Sequence, residues 1–154
     1  MVNKSHTFKN NLSIVYSPLD KEITSINIYV KVGSINEPKY LNGVSHFIEH
    51  MVFKGTKKLR NSSSISTIFD SIGADINAHT TLDNTCYEVK CHSDYTKVCL
   101  NTLFDMLLHS KFDKKEIQTE KNVVIEEITM DRDHPSHHVA ELAYSALFSG
   151  NRLS

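Results

Sequence analysis

The stretch Gly43 to Thr56, GVSHFIEHMVFKGT, places two histidines and a glutamate within one turn of a prospective helix. His46 and His50 stand four residues apart. On a helix both imidazoles therefore lie on one face and can reach a single ion, as paired histidines do in zinc enzymes. Glu49 falls within about 60° of His46, while Val44, Phe47, Ile48 and Met51 gather on the opposite side. One face binds and the other packs. Two neutral imidazoles and a carboxylate leave a fourth zinc position open to water, whose pKa falls toward ~7 on the metal. Glu49 adjoins a ligand without being one, so it is placed to take the water's proton and pass it to a leaving amine. HxxEH by itself also suits an exposed helix with solvated charges, and a third ligand distinguishes the two.

Candidates for that ligand lie in DKKEIQTEKNVVIEEITMDRD, residues 113–133. Asp113 and Glu116 form a capping-box start, and Ile117, Val124 and Ile128 make an apolar stripe. With Ile117 at zero, Glu127 falls at about 280° and Glu120 at about 300°, both flanking the stripe, whereas Glu126 points outward. Glu127 is the better third ligand, for one zinc per chain. Glu120, two turns earlier on the same side, is placed to orient a ligand or hold the attacking water; a surface ion pair is its alternative.

The elements around these two helices must hold them together. Short alternating runs flank Asn10 and Asn11 as a hairpin, and Ile26, Ile28, Val30 and Val32 alternate with polar residues as a strand with one buried face. Gly33 to Asn42 is a loop delivering the chain to the histidine helix. A basic loop with Lys57, Lys58 and Arg60, read as solvated, precedes a helix from Ser62 carrying Ile65, Ile68, Phe69 and Ile72 and capped by Gly73. Ile76 to His92 reads as two strands about a turn at Thr81 to Asn84, with Tyr87, Val89 and Cys91 facing inward. Asp94 to Ser110 is a helix with a core stripe of Leu100, Leu103, Phe104 and Leu107. Pro135 ends the glutamate helix and Ser136 caps another, whose Val139, Leu142, Ala143, Ala146 and Leu147 form a buried stripe. This order predicts an α+β fold, a mainly antiparallel sheet with helices packed on it.

Bulk properties narrow the function classes. A chain of 154 residues suits one domain. Its net charge of -1 gives no case for nucleic acid or an anionic membrane, and no apolar run approaches membrane-spanning length. The N-terminus lacks the apolar core of a secretory signal and the pattern of a transit peptide. Three cysteines are too few for a disulfide framework; Cys86 and Cys91 point to opposite strand faces and Cys99 is read as packed. A reducing, intracellular and most simply cytoplasmic location is expected. His134, His137 and His138 crowd the Pro135 loop; a second metal site there is weighed against solvent exposure, and exposure is expected because one proline loop rarely presents three tetrahedral ligands.

Four runs occur in order: VGSINEP (32–38), GVSHFIEHMVFKGT (43–56), INAHTTLDNTCYEV (76–89) and EKNVVIEE (120–127). Together they resemble the pitrilysin family of zinc metallopeptidases, which includes insulin-degrading enzyme and mitochondrial processing peptidase and whose HxxEH motif marks the inverzincins. The resemblance implies a zinc endopeptidase on a metallopeptidase α/β sandwich. It implies a third ligand 77 residues after the second motif histidine, which is Glu127, with a partner at Glu120, and it matches GSxxE to Gly33, Ser34 and Glu37. It further implies a peptide or unfolded polypeptide held as an added strand beside the zinc by Asn77 and Ala78. The family carries an aromatic where this chain has His79, which alters the expected substrate pocket; His79 is read as a strand residue. Residues 1–154 then form an N-terminal catalytic-type domain, truncated at its C-terminal end, over which a second half-domain or homologous subunit closes. The alternative is a non-catalytic relative acting as a peptide-binding or assembly subunit, whose usual mark is a broken metal motif. S-ribosylhomocysteine lyase also carries HxxEH, but its cysteine pattern is missing and it leaves EKNVVIEE unexplained.

Overall fold

A computed structural model describes residues 3–150. Strands β1 (Lys4–Thr7) and β2 (Ser13–Tyr16) form an antiparallel hairpin. Its turn uses Asn11 at φ 66 and Asn10, whose side chain accepts from the Leu12 N–H. Asparagine suits both tasks, tolerating the left-handed region and hydrogen-bonding its own backbone.

The main sheet has three antiparallel strands in the order β3 (Ile23–Val30), β5 (Thr85–His92), β4 (Asp75–Thr80). Central β5 pairs with a strand along each edge, and Tyr87, Val89 and Cys91 are buried as expected. β4 lies at an edge, its outer side paired with no strand among the described residues. Helices α1 (Val44–Val52), α2 (Ser62–Ser71) and α3 (Thr96–His109) pack on this sheet. Helix α4 (Lys114–Asp133) lies against α1, and α5 (Pro135–Leu147) against α4. The core joins Val52, Ile65, Phe69, Tyr87, Val89, Leu103 and Met106; each such side chain stabilises the fold by about 1.5–3 kcal/mol through burial. α2 ends in a Schellman motif: Gly73 has φ 61, its N–H reaches the Asp70 carbonyl and that of Ala74 reaches Phe69. The element order and the α+β class are those the periodicities predict.

Four details differ. Val30 and Val32 are exposed, because β3 ends at Val30. The fully buried line of α3 is Cys99, Leu103 and Met106, with Leu100, Phe104 and Leu107 half-buried, because α3 is apolar over too wide an arc for periodicity to set its rotation. Helix α5 starts two residues early: His134 rather than Ser136 is its N-cap and Pro135 its first residue, a position where a missing N–H costs nothing. The α5 stripe is exposed rather than buried, Leu147 by 77%, since α5 packs chiefly against α4 and no element among the described residues covers its apolar face. Cys86, Cys91 and Cys99 are free thiols, all buried. Among the described residues no helix is long and apolar enough to cross a membrane.

Tyr87 gives a pH signature of this packing. Burial first, and the nearby Glu49 carboxylate second, push its hydroxyl up to about 12. A raised tyrosine pKa means the folded chain keeps its proton where the unfolded chain, near 10, has lost it. That stabilisation is complete below pH 10 and is lost as pH rises through 12. Relative to Tyr87→Phe, the wild type is expected to lose about 2 kcal/mol between pH 9 and 12, read from parallel urea titrations.

Candidate metal centre

Both ends of α1 are pinned. Gly43, at φ 89, turns the chain into the helix. The Glu37 carboxylate then caps it, taking the Gly43 N–H on Oε2 and the Ser45 N–H on Oε1, each at 2.6 Å. A negative group over those unpaired donors suits the positive end of the helix dipole. The loop before it is fastened to the β4–β5 turn, where Ser34 and Ile35 donate to the Thr81 and Leu82 carbonyls. A side chain at Gly33 would collide with the Thr81 carbonyl. Past the other end, the buried Thr56 hydroxyl donates to buried Asp105 of α3 at 2.5 Å.

So held, α1 turns its chemical face inward. Ser45, Glu49, Met51 and Val52 are its buried residues, whereas Ile48, expected on the packing side, is exposed. The reason is that α1 lies between β4 and α4. A cap on α4, where Asp113 accepts from the Lys115 N–H at 2.9 Å, sets the start of that helix. Two glutamates of α4 then meet the two histidines of α1. His46 Nε2 and His50 Nε2 lie 3.1 Å apart. Glu127 Oε2 stands 3.3 Å from His50 Nε2 and 3.8 Å from His46 Nε2. Ligand atoms of His46, His50 and Glu127 all fall within 4.8 Å of one another.

The hydrogen bonding behind them says what this cluster suits. His50 donates from Nδ1 to Glu120 Oε1 at 2.9 Å. With the proton on Nδ1, the Nε2 lone pair faces His46 and Glu127. Two imidazole nitrogens and a carboxylate converge where a cation relieves their mutual repulsion, a donor set that fits zinc. Glu120 is 3% exposed, and its Oε2 lies 2.6 Å from Lys54 Nζ. Burial pushes the Glu120 carboxyl up, but hydrogen bonds from Lys54 and then His50 outweigh it and hold it below the usual glutamate range. Glu127, by contrast, is half exposed and opens the cluster to solvent.

Glu49 is 8% exposed, with its Oε2 accepting from the Thr80 hydroxyl of β4 at 2.5 Å. Thr80 stands 3.4 Å from Thr85, whose hydroxyl donates to the Val32 carbonyl at 3.0 Å, so the catalytic candidate is tied to the sheet. Asn77 and Ala78 lie on the same edge strand. They line a cleft of about 200 Å³ with Glu49, His50, Lys54 and Glu120. The hairpin closes with the Thr81 N–H on the Asn84 carbonyl. Counting back along β4, the Ala78 N–H faces the open edge, where Asn77 Oδ1 takes it at 2.9 Å. On the other side a second cleft of about 350 Å³ runs past His46 and Glu127 to Asp131, Arg132 and Glu141.

Among the described residues no second group of metal-binding side chains forms. His79 is exposed on β4 and joins no such group. His134, His137 and His138 are exposed, and the last two face Asp131 at 2.5 Å and Glu141 at 3.5 Å. Three contributors escaped the reading from sequence: Lys54, Thr80, and Glu37 in its capping role. Lys54 carried a signal, since it stands four residues past His50. Thr80 and Glu37 act through contacts 31, 6 and 8 residues away, which no local pattern marks.

Two histidines and a buried glutamate on one helix, a third ligand candidate on its neighbour and an edge strand alongside define a metallopeptidase-type α+β domain. Residues 14–154 match the family described as Insulinase (Peptidase family M16), and the chain belongs to that family. A Bacillus subtilis protein named "Uncharacterized zinc protease YmxG" is 38% identical over 152 residues, 97% of this chain and 37% of that protein. The beta subunit of mitochondrial-processing peptidase from Dictyostelium discoideum is 31% identical, over 97% of this chain and 32% of its own length. A Helicobacter pylori protease of known crystal structure superposes with a TM-score of 0.81 at 30% identity, covering 86% of this chain and 32% of that one. The chain thus spans about a third of the length of the curated relatives it matches.

Proposed function

We propose that this chain is the N-terminal catalytic-type domain of a zinc-dependent metalloendopeptidase, with His46, His50 and Glu127 holding one zinc. The observation that carries this reading is the convergence of those three ligand groups, within 4.8 Å, beside a buried glutamate that is not one of them. Bound zinc lowers the pKa of an attacking water and polarises the scissile carbonyl. Glu49 is the general base: Thr80 occupies its Oε2, leaving Oε1 to accept the water's proton and later deliver it to the leaving amine. Glu120 acts one step back, keeping His50 in the tautomer that presents Nε2. The open edge of β4 at Asn77 and Ala78 takes the substrate as an added strand. A peptide carbonyl displaces Asn77 Oδ1 from the Ala78 N–H, so recognition reads backbone more than side chains and suits a peptide or unfolded polypeptide.

A second half-domain or homologous subunit closes over this edge in the working protein. The Dictyostelium relative is itself named a subunit, which favours one other reading, a peptide-binding or assembly subunit without catalysis. The complete set of zinc-binding and base residues favours the peptidase. Unpaired buried thiols suit a reducing, intracellular compartment. The test is cleavage of an unstructured peptide followed by mass spectrometry. Cleavage is expected to stop with a chelator and to return with zinc but not magnesium. Binding of intact peptide by protein carrying one zinc per chain, with no cleavage, would select the subunit reading instead.

A further inference from the structure

We infer that Lys54 is a positioning residue for the metal site, fastening Glu120 so that Glu120 can orient His50. Lys54 lies one turn beyond His50 along α1, just past the helix end, where its N–H still reaches the Met51 carbonyl. Its ammonium sits 2.6 Å from Glu120 Oε2, while Oε1 of the same carboxylate takes the His50 Nδ1–H at 2.9 Å. Each oxygen therefore has its own partner, one on α1 and the other in the turn just past its end. A buried carboxylate with two fixed donors has one orientation, and His50 inherits it as a single ring orientation and a single tautomer. With only one donor, Glu120 is free to turn about its end, and the His50 Nε2 lone pair loses its aim toward His46 and Glu127.

The sign of the effect separates this role from a simple charge effect. An ammonium near a divalent ion repels it, so a Lys54 acting only as a nearby charge weakens zinc binding, and its removal tightens it. A Lys54 acting through Glu120 does the opposite. The inference rests on His46, His50 and Glu127 being the zinc ligands.

The experiment measures zinc affinity by competition with a chromophoric chelator for the wild type, Lys54→Met, Glu120→Gln and the double variant, after circular dichroism has shown each to be folded. Methionine keeps the apolar stem of Lys54; Lys54→Ala is read in the same way should Lys54→Met not fold. The expected result is a zinc Kd raised about 10- to 100-fold in Lys54→Met. In the Glu120→Gln background the same substitution is expected to have no weakening effect, because residues acting through one network are not additive. Unchanged or tighter zinc binding in Lys54→Met overturns the inference and leaves the zinc site standing. So does an equal loss in both backgrounds, which marks a merely structural lysine. A folded wild type that takes no zinc overturns the proposed function and this inference together.

Discussion

Glu49→Gln is expected to leave zinc bound and to lower kcat for peptide cleavage by about 10²–10⁴, the range for removal of a positioned general acid–base. The substitution changes little else. Glutamine has the same shape in a position that is 8% exposed, and its side-chain oxygen still accepts from Thr80. What it loses is the second carboxylate oxygen, the one left to take a proton. Zinc content by mass spectrometry and a thermal melt on the same preparation separate a chemical defect from a folding one. Retained cleavage by a folded, zinc-loaded Glu49→Gln protein would sink the assignment of Glu49 as base.

Replacing Glu127 by glutamine should strip the metal instead. Among the described residues, Glu127 supplies the one carboxylate within 4 Å of both His46 Nε2 and His50 Nε2. It is exposed, so the change costs little packing and the protein stays folded. Loss of a residue that merely supports a ligand costs about 10- to 100-fold in metal affinity, and loss of the ligand itself should exceed that. Zinc per chain should fall from about one to near zero in purified Glu127→Gln, with an unchanged circular dichroism spectrum. Full zinc occupancy in that variant would mean that another group, for which Glu120 is the nearest candidate, completes the site.

The contrast between the two α4 glutamates shows how far periodicity reaches. Helix phase puts Glu120 and Glu127 on one side and Glu126 on the other, and the structure places Glu120 and Glu127 beside the histidines. Phase does not tell which of the two is deep. Burial separates them: Glu120 sinks between α1 and α4 and takes a lysine, while Glu127 stays at the rim. The α5 stripe is the converse case. Val139, Leu142 and Leu147 share a face that is apolar enough to pack, yet it is exposed. An amphipathic pattern records which face resists water, and another element must supply the cover.

Spacing along the chain therefore determined which side chains share a face: His46 with Glu49 and His50, Glu120 with Glu127, and the alternating residues of β4 and β5. These are local relations, governed by 3.6 residues per helical turn and two per strand repeat. Tertiary packing alone decided what meets each face. It brought Glu120 to His50 across 70 residues and Thr80 to Glu49 across 31, and it left β4 at the open edge of its sheet. Such contacts depend on how helices and strands stack to bury their apolar sides, a property of the whole chain that no single stretch of it carries.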